Sequence, residues 1–425
     1  MGFDITLGNP PYINVELMEK ELKDYFKLKF DTFFKRSDIF SLFIDYSATK
    51  LAKEGSHLAF IIPSIVLNNL SYKPLRNKLL DNNWLSTVCY TGNKIFLDAT
   101  VDTVILLIDK AGVHGIKLIN ALDFNRQKIS QVETNFFKKF DNVISVTGDD
   151  NSNKVFDKVF HPRNINVEKH FEVFQGIVTG NNPVYIFDEQ KQWESAKIEK
   201  ELLHILLHGR DFNKWVIKST ERRILYLTDE ININKYPRAL SYLSHYKKEL
   251  QHSKSAEEKS SAWYALHRPR VKENLDLIPK IIIQNTRNER LKPRIVATVD
   301  EIGVYGSQGL NFVVPTTNKY SVYFLIAIIN SRLIDYLFET KFLNLAIKAE
   351  YIKQISFPEP SLGLRRKLED LSKKVLTNKP IKPTEKLEAE INNLVYKLYN
   401  LTYAEVKLIN SEFSLSEEEY HAIEI

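Results

Sequence analysis

The sequence predicts an α/β amino-terminal region followed by a mixed α+β region and a helical tail. Three observations carry this. Short apolar runs alternate with helix-periodic segments through residues 1–125. Beyond Phe171 that alternation gives way to a mixed pattern. Glu385–Leu401 (EKLEAEINNLVYKLYNL) then shows strong helical periodicity.

The elements follow in order. Phe3–Leu7 (FDITL) reads as a short strand ending at Gly8, and Leu17–Lys29 as a helix. Ser37 or Asp38 is expected to cap a second helix with an apolar face of Ile39, Leu42, Phe43 and Tyr46, at i, i+3, i+4, i+7 spacing. His57–Ile62 (HLAFII), Leu85–Thr91 and Thr103–Ile108 read as buried strands, with a helix at Pro74–Leu80. Such alternation implies a mainly parallel sheet. Strands are expected again at Lys280–Gln284 and Arg294–Val299, and apolar helices at Tyr320–Asn330 and Leu333–Phe338. Turn formers concentrate at Thr147–Lys154 and Thr377–Thr384. The expected layout is a domain over 1–125, a linker over 126–165, a second domain over 166–375 and a helical segment over 376–425.

Composition excludes several classes. Over 425 residues, 44% hydrophobic and 26% charged content is the balance of a folded chain rather than a disordered or fibrous one. No apolar run approaches the ~18–20 residues of a membrane span. Residues 1–20 lack a basic, then apolar, leader pattern. Cys89 is the single cysteine, so neither an internal disulfide nor a cysteine zinc site can form, and a cytoplasmic setting is expected. The net charge of +6 is unevenly spread: residues 1–125 carry 14 basic and 14 acidic side chains, 376–425 carry 5 and 9, and 126–375 carry 40 and 30. A basic middle suggests a polyanion partner, although a solvated lysine-rich surface would produce the same count. Its densest run holds Arg268, Arg270, Lys272, Lys280, Arg287, Arg290, Lys292 and Arg294. Arginines of this kind can reach phosphates and base edges.

The loop after the first strand is the most informative. In Asn9-Pro10-Pro11-Tyr12 two prolines remove two N–H donors and stiffen the backbone. An Asn side-chain oxygen and the Pro10 carbonyl remain as acceptors, with the flat face of Tyr12 beside them. An amino group on a planar ring would suit such a site. Asn-Pro is also a common turn former, so a plain strand-to-helix turn is the alternative. The carboxyl end of a strand, where α/β sheets place their sites, favours the first reading.

These residues carry a resemblance. Phe3-Asp4-Ile5-Thr6-Leu7-Gly8-Asn9-Pro10-Pro11-Tyr12 resembles the catalytic motif of γ-class (TaqI-type) adenine-specific DNA methyltransferases and of the fused type II restriction–modification enzymes built on them. Ser37–Phe43, Leu58–Ser64, Leu75–Leu80 and Ile95–Val101 resemble the segments that follow that motif. Phe174–Asn182 (FQGIVTGNN), Gly209–Phe212, Ile328–Leu333 and Ile352–Pro358 are similar to markers of the family's target-recognition domain, and Val395–Thr402 to its final helix. The likeness covers nearly the whole chain. It implies a partial Rossmann-like methyltransferase sheet over 1–125 and a TaqI-like specificity domain over 166–375.

The resemblance further implies base flipping in double-stranded DNA, since a stacked adenine's amino group is out of reach. Asn9 and the Pro10 carbonyl would accept the amino hydrogens, Tyr12 would stack on the base, and Phe96 would approach its other face. The methyl donor would be S-adenosylmethionine. Without the resemblance, Phe96 reads as an ordinary core aromatic. Arg268, Arg270, Lys272, Arg287, Arg290, Lys292 and Arg294 are the expected DNA-binding residues.

The family's cofactor loop, a Gly-x-Gly turn upstream of the catalytic loop, has no counterpart. No two of the 14 glycines are separated by one residue. The expectation is therefore the carboxyl-terminal part of a methyltransferase, inactive as an isolated chain, with an amino-terminal methyltransferase or nuclease part in the full-length protein. The alternative is a non-catalytic DNA-recognition module. No metal site is expected. Glu21-Leu22-Lys23 lacks the preceding Asp of a magnesium nuclease, and His204 and His208, at i, i+4 on a plausible helix after Glu201, lack a His-Glu-x-x-His pattern.

Overall fold

The computed structural model describes residues 2–425 except 16–17, 35–36, 93–94, 97–100, 124, 126, 141, 147–149, 253–261, 288–290 and 341–345. The chain divides into two compact units, Met1–Phe160 with Leu337–Asn344, and His161–Tyr336 with Leu345–Ile425.

The first unit is built on a six-stranded sheet. Its strands are β1 (Phe3–Gly8), β2 (Ala52–Pro63), β3 (Leu85–Gly92), β4 (Thr103–Asp109), β5 (Gly115–Asn120) and β6 (Lys128–Glu133). The spatial order is β1-β2-β4-β3-β5-β6. β1 pairs parallel with β2, and β3 parallel with β5, while β4 lies antiparallel between β2 and β3. Hence β1, β2, β3 and β5 run one way and β4 and β6 the other. Apolar residues dictate this. Leu58, Phe60 and Ile62 of β2, Val88 and Tyr90 of β3, and Val104, Leu106 and Ile108 of β4 are all at most 3% exposed. Alternate residues of each strand thus enter one core.

Helices α1 (Lys20–Lys29), α2 (Phe40–Tyr46), α3 (Lys73–Asp81) and α4 (Asp150–Val159) complete the unit. The expected face of α2 is corrected in part: Leu42 is buried as expected, but Phe43 and Tyr46 are exposed, and Phe40 and Ile44 are buried with it, followed by Ala48 just beyond the helix. Phe40 stacks on Tyr72 at 5.0 Å, which turns the helix by about one residue relative to the pattern read locally. No side chain caps it either, because the Asp38 carboxylate accepts from the Tyr72 hydroxyl at 2.7 Å instead. The second half of the turn-rich stretch Thr147–Lys154 is helical, in α4, and 147–149 lie outside the described residues.

β1 stands apart. It is an edge strand, and Phe3, Ile5 and Leu7 on one of its faces are 62%, 65% and 75% exposed. Three large apolar side chains in a row along a sheet edge make an uncovered surface.

The second unit holds two four-stranded sheets. One has the order Ala297–Asp300, Lys280–Gln284, Leu310–Pro315, Phe171–Gln175, antiparallel throughout. The other runs Tyr305–Gly306, Leu203–Leu207, Arg223–Leu225, Ile186–Phe187. The apolar helix Val322–Ile329 and the helices Leu362–Asn378 and Glu385–Leu398 pack with them. The strand expected from Arg294 begins only at Ala297, because the backbone N–H groups of Arg294 and Ile295 are spent on the Asp335 carboxylate. Leu203–Leu207 is a strand, not the helix placed around His204 and His208. Its run Ile205-Leu206-Leu207 suits a buried strand, so the two histidines do not share a helix face. No helix among the described residues is long and apolar enough to cross a membrane.

Candidate active site and specificity region

The Asn9–Tyr12 loop leaves the sheet at the carboxyl end of β1. Gly8 is required there, because a Cβ at this position would lie 2.8 Å from the Phe60 ring packed beneath it. Pro10 is buried, Asn9 and Pro11 are exposed, and Tyr12 is half-buried. The Tyr12 hydroxyl donates to the Ile61 carbonyl at 3.1 Å, and its ring meets Phe40 edge-on at 6.2 Å. Burial pushes the Tyr12 phenol up from its usual range, so it stays a donor. Tyr12, Phe40 and Tyr72 thus form a braced aromatic row behind an exposed Asn side chain. Asp38, at the end of that row, is raised by burial, against the lowering effect of its Tyr72 hydrogen bond.

Phe96 is half-buried in the connection from β3 to β4. The connection begins and ends at the edge of the sheet where β1 also ends: Pro63 and Gly92, ending β2 and β3, both pair with Thr103, and Gly8 pairs with Phe60. Residues 97–100 of the expected base-pocket segment lie outside the described residues. Tyr12→Phe is expected to cost about 1 kcal/mol through the lost hydrogen bond. Urea denaturation of the two proteins measures it, and equal midpoints would show that the Ile61 contact contributes nothing.

The basic run does not form one surface. Arg268 is exposed. Arg270 is half-buried at φ +70, and its Nε donates to the Gly176 carbonyl at 3.0 Å. Burial, with Arg268 nearby, lowers its pKa. Lys272 is exposed and pairs with Asp276. The Arg287 guanidinium donates to the Pro293 carbonyl at 2.7 Å and to Gln284 Oε1 at 3.1 Å. Lys292 is exposed, and Arg290 lies outside the described residues. Arg294 is only 1% exposed and donates to the Arg287 carbonyl, a core placement that offers no phosphate a surface. Lys280 is fully buried on Asp300. Sequence reasoning missed the carboxylates Asp300 and Asp335. The available signal was a single lysine opening the apolar run Lys280–Gln284, which demands a buried partner.

His204 stacks on Tyr305 at 4.1 Å. Burial holds both His204 and His208 below the usual imidazole range. The charges of Lys272 and Arg222 add to this respectively, and Asp276, Asp211 and Asp188 oppose it. Their folded pKa values are thus below the unfolded value of about 6.5, so the unfolded chain binds more protons as pH falls. The contribution of neutral histidines is intact above about pH 6.5 and lost as pH falls through the folded values. Denaturation midpoints are expected to be lower at about pH 5 than at about pH 8, with His204→Gln reducing the difference. A variant with an unchanged difference would contradict this.

An α/β sheet with a stiff acceptor loop at its carboxyl edge, joined to a largely antiparallel second unit, defines a two-part chain. Residues 1–96 match the family model described as Eco57I restriction-modification methylase, and residues 204–356 that described as TaqI-like C-terminal specificity domain. The chain is thus similar to an Eco57I-type restriction–modification methylase over residues 1–96 and to a TaqI-like specificity domain over residues 204–356. It is 25% identical over 93% of its length to the type II restriction enzyme and methyltransferase RM.Eco57I of Escherichia coli, covering 44% of that protein. It is 23% identical over 96% of its length to the type II methyltransferase M.BstVI of Geobacillus stearothermophilus, covering 75% of it. The chain therefore spans less than half the length of the first relative. Among solved structures, the type IIL restriction-modification enzyme MmeI, determined in complex with DNA, superposes with a TM-score of 0.65 at 12% identity. That match covers 98% of this chain and 57% of the other, and it shows a shared fold.

Proposed function

We propose that the chain is the base-handling and sequence-recognising part of a site-specific adenine DNA methyltransferase of a restriction–modification system. The observation that carries this is Asn9-Pro10-Pro11-Tyr12 at the carboxyl end of β1, with Tyr12 braced by Ile61 and Phe40. A flipped adenine presents two amino hydrogens. The Asn9 side-chain oxygen and the Pro10 carbonyl accept them and hold the nitrogen in one orientation, leaving its lone pair free to act as nucleophile. The Tyr12 ring stacks on the base and Phe96 closes on its other side.

In this reading the residues present do not make a site for S-adenosylmethionine. Such a site needs a tight glycine turn after a strand, and the sequence contains no Gly-x-Gly. We assign the methyl donor to a further polypeptide, which the greater length of RM.Eco57I accommodates and which the bare apolar edge of β1 is suited to receive. The isolated chain is then a duplex-binding protein without transfer activity. Calorimetry is expected to show no binding of S-adenosylmethionine by it, and micromolar binding would sink this assignment. Titration with mixed-sequence duplex DNA is expected to show affinity that falls steeply with salt. Absence of binding at ~50 mM salt would remove DNA from the reading.

A further inference from the structure

The second unit contains a cleft of about 890 Å³ that the base-handling loop does not use. It lies among the segment Thr179–Pro183, His208 at the end of the strand Leu203–Leu207, Asn285 after the strand Lys280–Gln284, and the turn Ser307–Gly309. Although the surrounding sequence is the basic part of the chain, no described lining residue is an Asp, Glu, Lys or Arg. Amides dominate instead, including Gln175, Asn182, Asn285 and Gln308.

Two groups there keep unspent hydrogen-bonding capacity. Asn285 is 8% exposed, and its Nδ2 donates to the Gln308 carbonyl at 3.1 Å. Its Oδ1 is buried without a partner among the described residues. The His208 Nε2 is likewise buried without a partner among the described residues, while the Asp211 backbone N–H donates to the His208 carbonyl at 3.0 Å, so the neutral ring is free to present an N–H there. A buried acceptor and a buried donor left unmet are costly unless something fills them. The complement is a neutral, planar group offering one donor and one acceptor, which describes a nucleobase edge. A phosphate or carboxylate in the cleft would find no cation among the described lining residues. Positive charge stands at the rim: Arg268 is exposed, and its backbone pairs with cleft residue Val178 at 2.9 and 3.1 Å.

We propose that this cleft reads one base edge of the recognised duplex, with Asn285 Oδ1 accepting from it, His208 Nε2 donating to it, and Arg268 held on a flanking phosphate. This rests on the reading that the chain binds duplex DNA, and it assigns the specificity of that binding to particular atoms.

The test selects from duplexes with a randomised core, using the whole chain, and compares wild type with Asn285→Ala, Gly309→Leu and Arg268→Ala. Gly309 is chosen because it lines the cleft and a Cβ there meets, among the described residues, only Ser307 Oγ at 3.8 Å, so the position itself has room for a side chain. Wild type is expected to enrich a defined sequence. Asn285→Ala and Gly309→Leu are expected to lose preference at one position by about tenfold while keeping mixed-sequence affinity within about twofold. Arg268→Ala is expected to weaken all sequences alike and to lower the salt slope by about 1. If Asn285→Ala does not fold, Gly309→Leu decides. Variants that keep the wild-type preference, or that lose all binding while folded, overturn the cleft assignment alone. So does a wild type that binds duplex without preference. A wild type that binds no duplex overturns the DNA reading and the cleft with it.

Discussion

Asn9→Ala is expected to lower methyl transfer about 10²–10³-fold in the chain complemented with a methyl-donor-binding segment, the loss seen when one oriented hydrogen-bonding group is removed from a reacting centre. Asn9 is exposed at the end of β1, so the change leaves the core intact. Duplex affinity and thermal stability are expected to stay near those of the parent. The measurement is the single-turnover rate at saturating duplex, which separates chemistry from binding. Asn9→Asp is the sharper control. It keeps the shape and an acceptor oxygen, but it brings a negative charge to a site that otherwise offers neutral acceptors.

Asp300→Ala is expected to destabilise the second unit by about 3–5 kcal/mol, the cost of leaving a buried charge unpaired. Lys280 Nζ and Asp300 Oδ2 are 2.6 Å apart and both side chains are fully buried. Burial lowers the lysine's pKa, and the Asp300 charge and hydrogen bond oppose that. Asp300 also accepts from the backbone N–H groups of Ile302, Gly303 and Val304, so it fixes the turn after its strand. Lys280→Met is expected to cost less, because Asp300 keeps those three donors while Lys280 gives up only Asp300 and the Leu275 and Leu277 carbonyls. Denaturant midpoints order the two variants, and equal losses would mean that the turn contributes nothing beyond the ion pair.

The parts legible in the sequence are those set by local pattern. His57–Ile62, Leu85–Thr91 and Thr103–Ile108 lie within observed strands because continuous apolar runs can only be buried. The tail helix follows from its periodicity. The Asn9–Tyr12 loop was readable because two prolines constrain the backbone whatever surrounds them. What failed depended on distant partners. The face of α2 is decided by Tyr72, more than thirty residues away in the chain. The fates of Lys280 and Arg294 are decided by Asp300 and Asp335, so counting charges in the basic run overstated the surface they supply. A short apolar run flanked by His204 and His208 fits strand or helix alike, and the pairing with Arg223–Leu225 settles it as strand. The cleft around Asn285 could not be assembled from the sequence, since five separated segments among the described residues build it, and the Phe174–Asn182 stretch signalled one of them alone.

The most direct test of the base-handling role is mass spectrometry of duplex DNA after incubation with S-adenosylmethionine, the complementing segment, and either the parent chain or Asn9→Ala. N6-methyladenine formed by the parent and nearly absent with Asn9→Ala is the predicted result. Methylation confined to cytosine, or equal N6-methyladenine from both proteins, would contradict it.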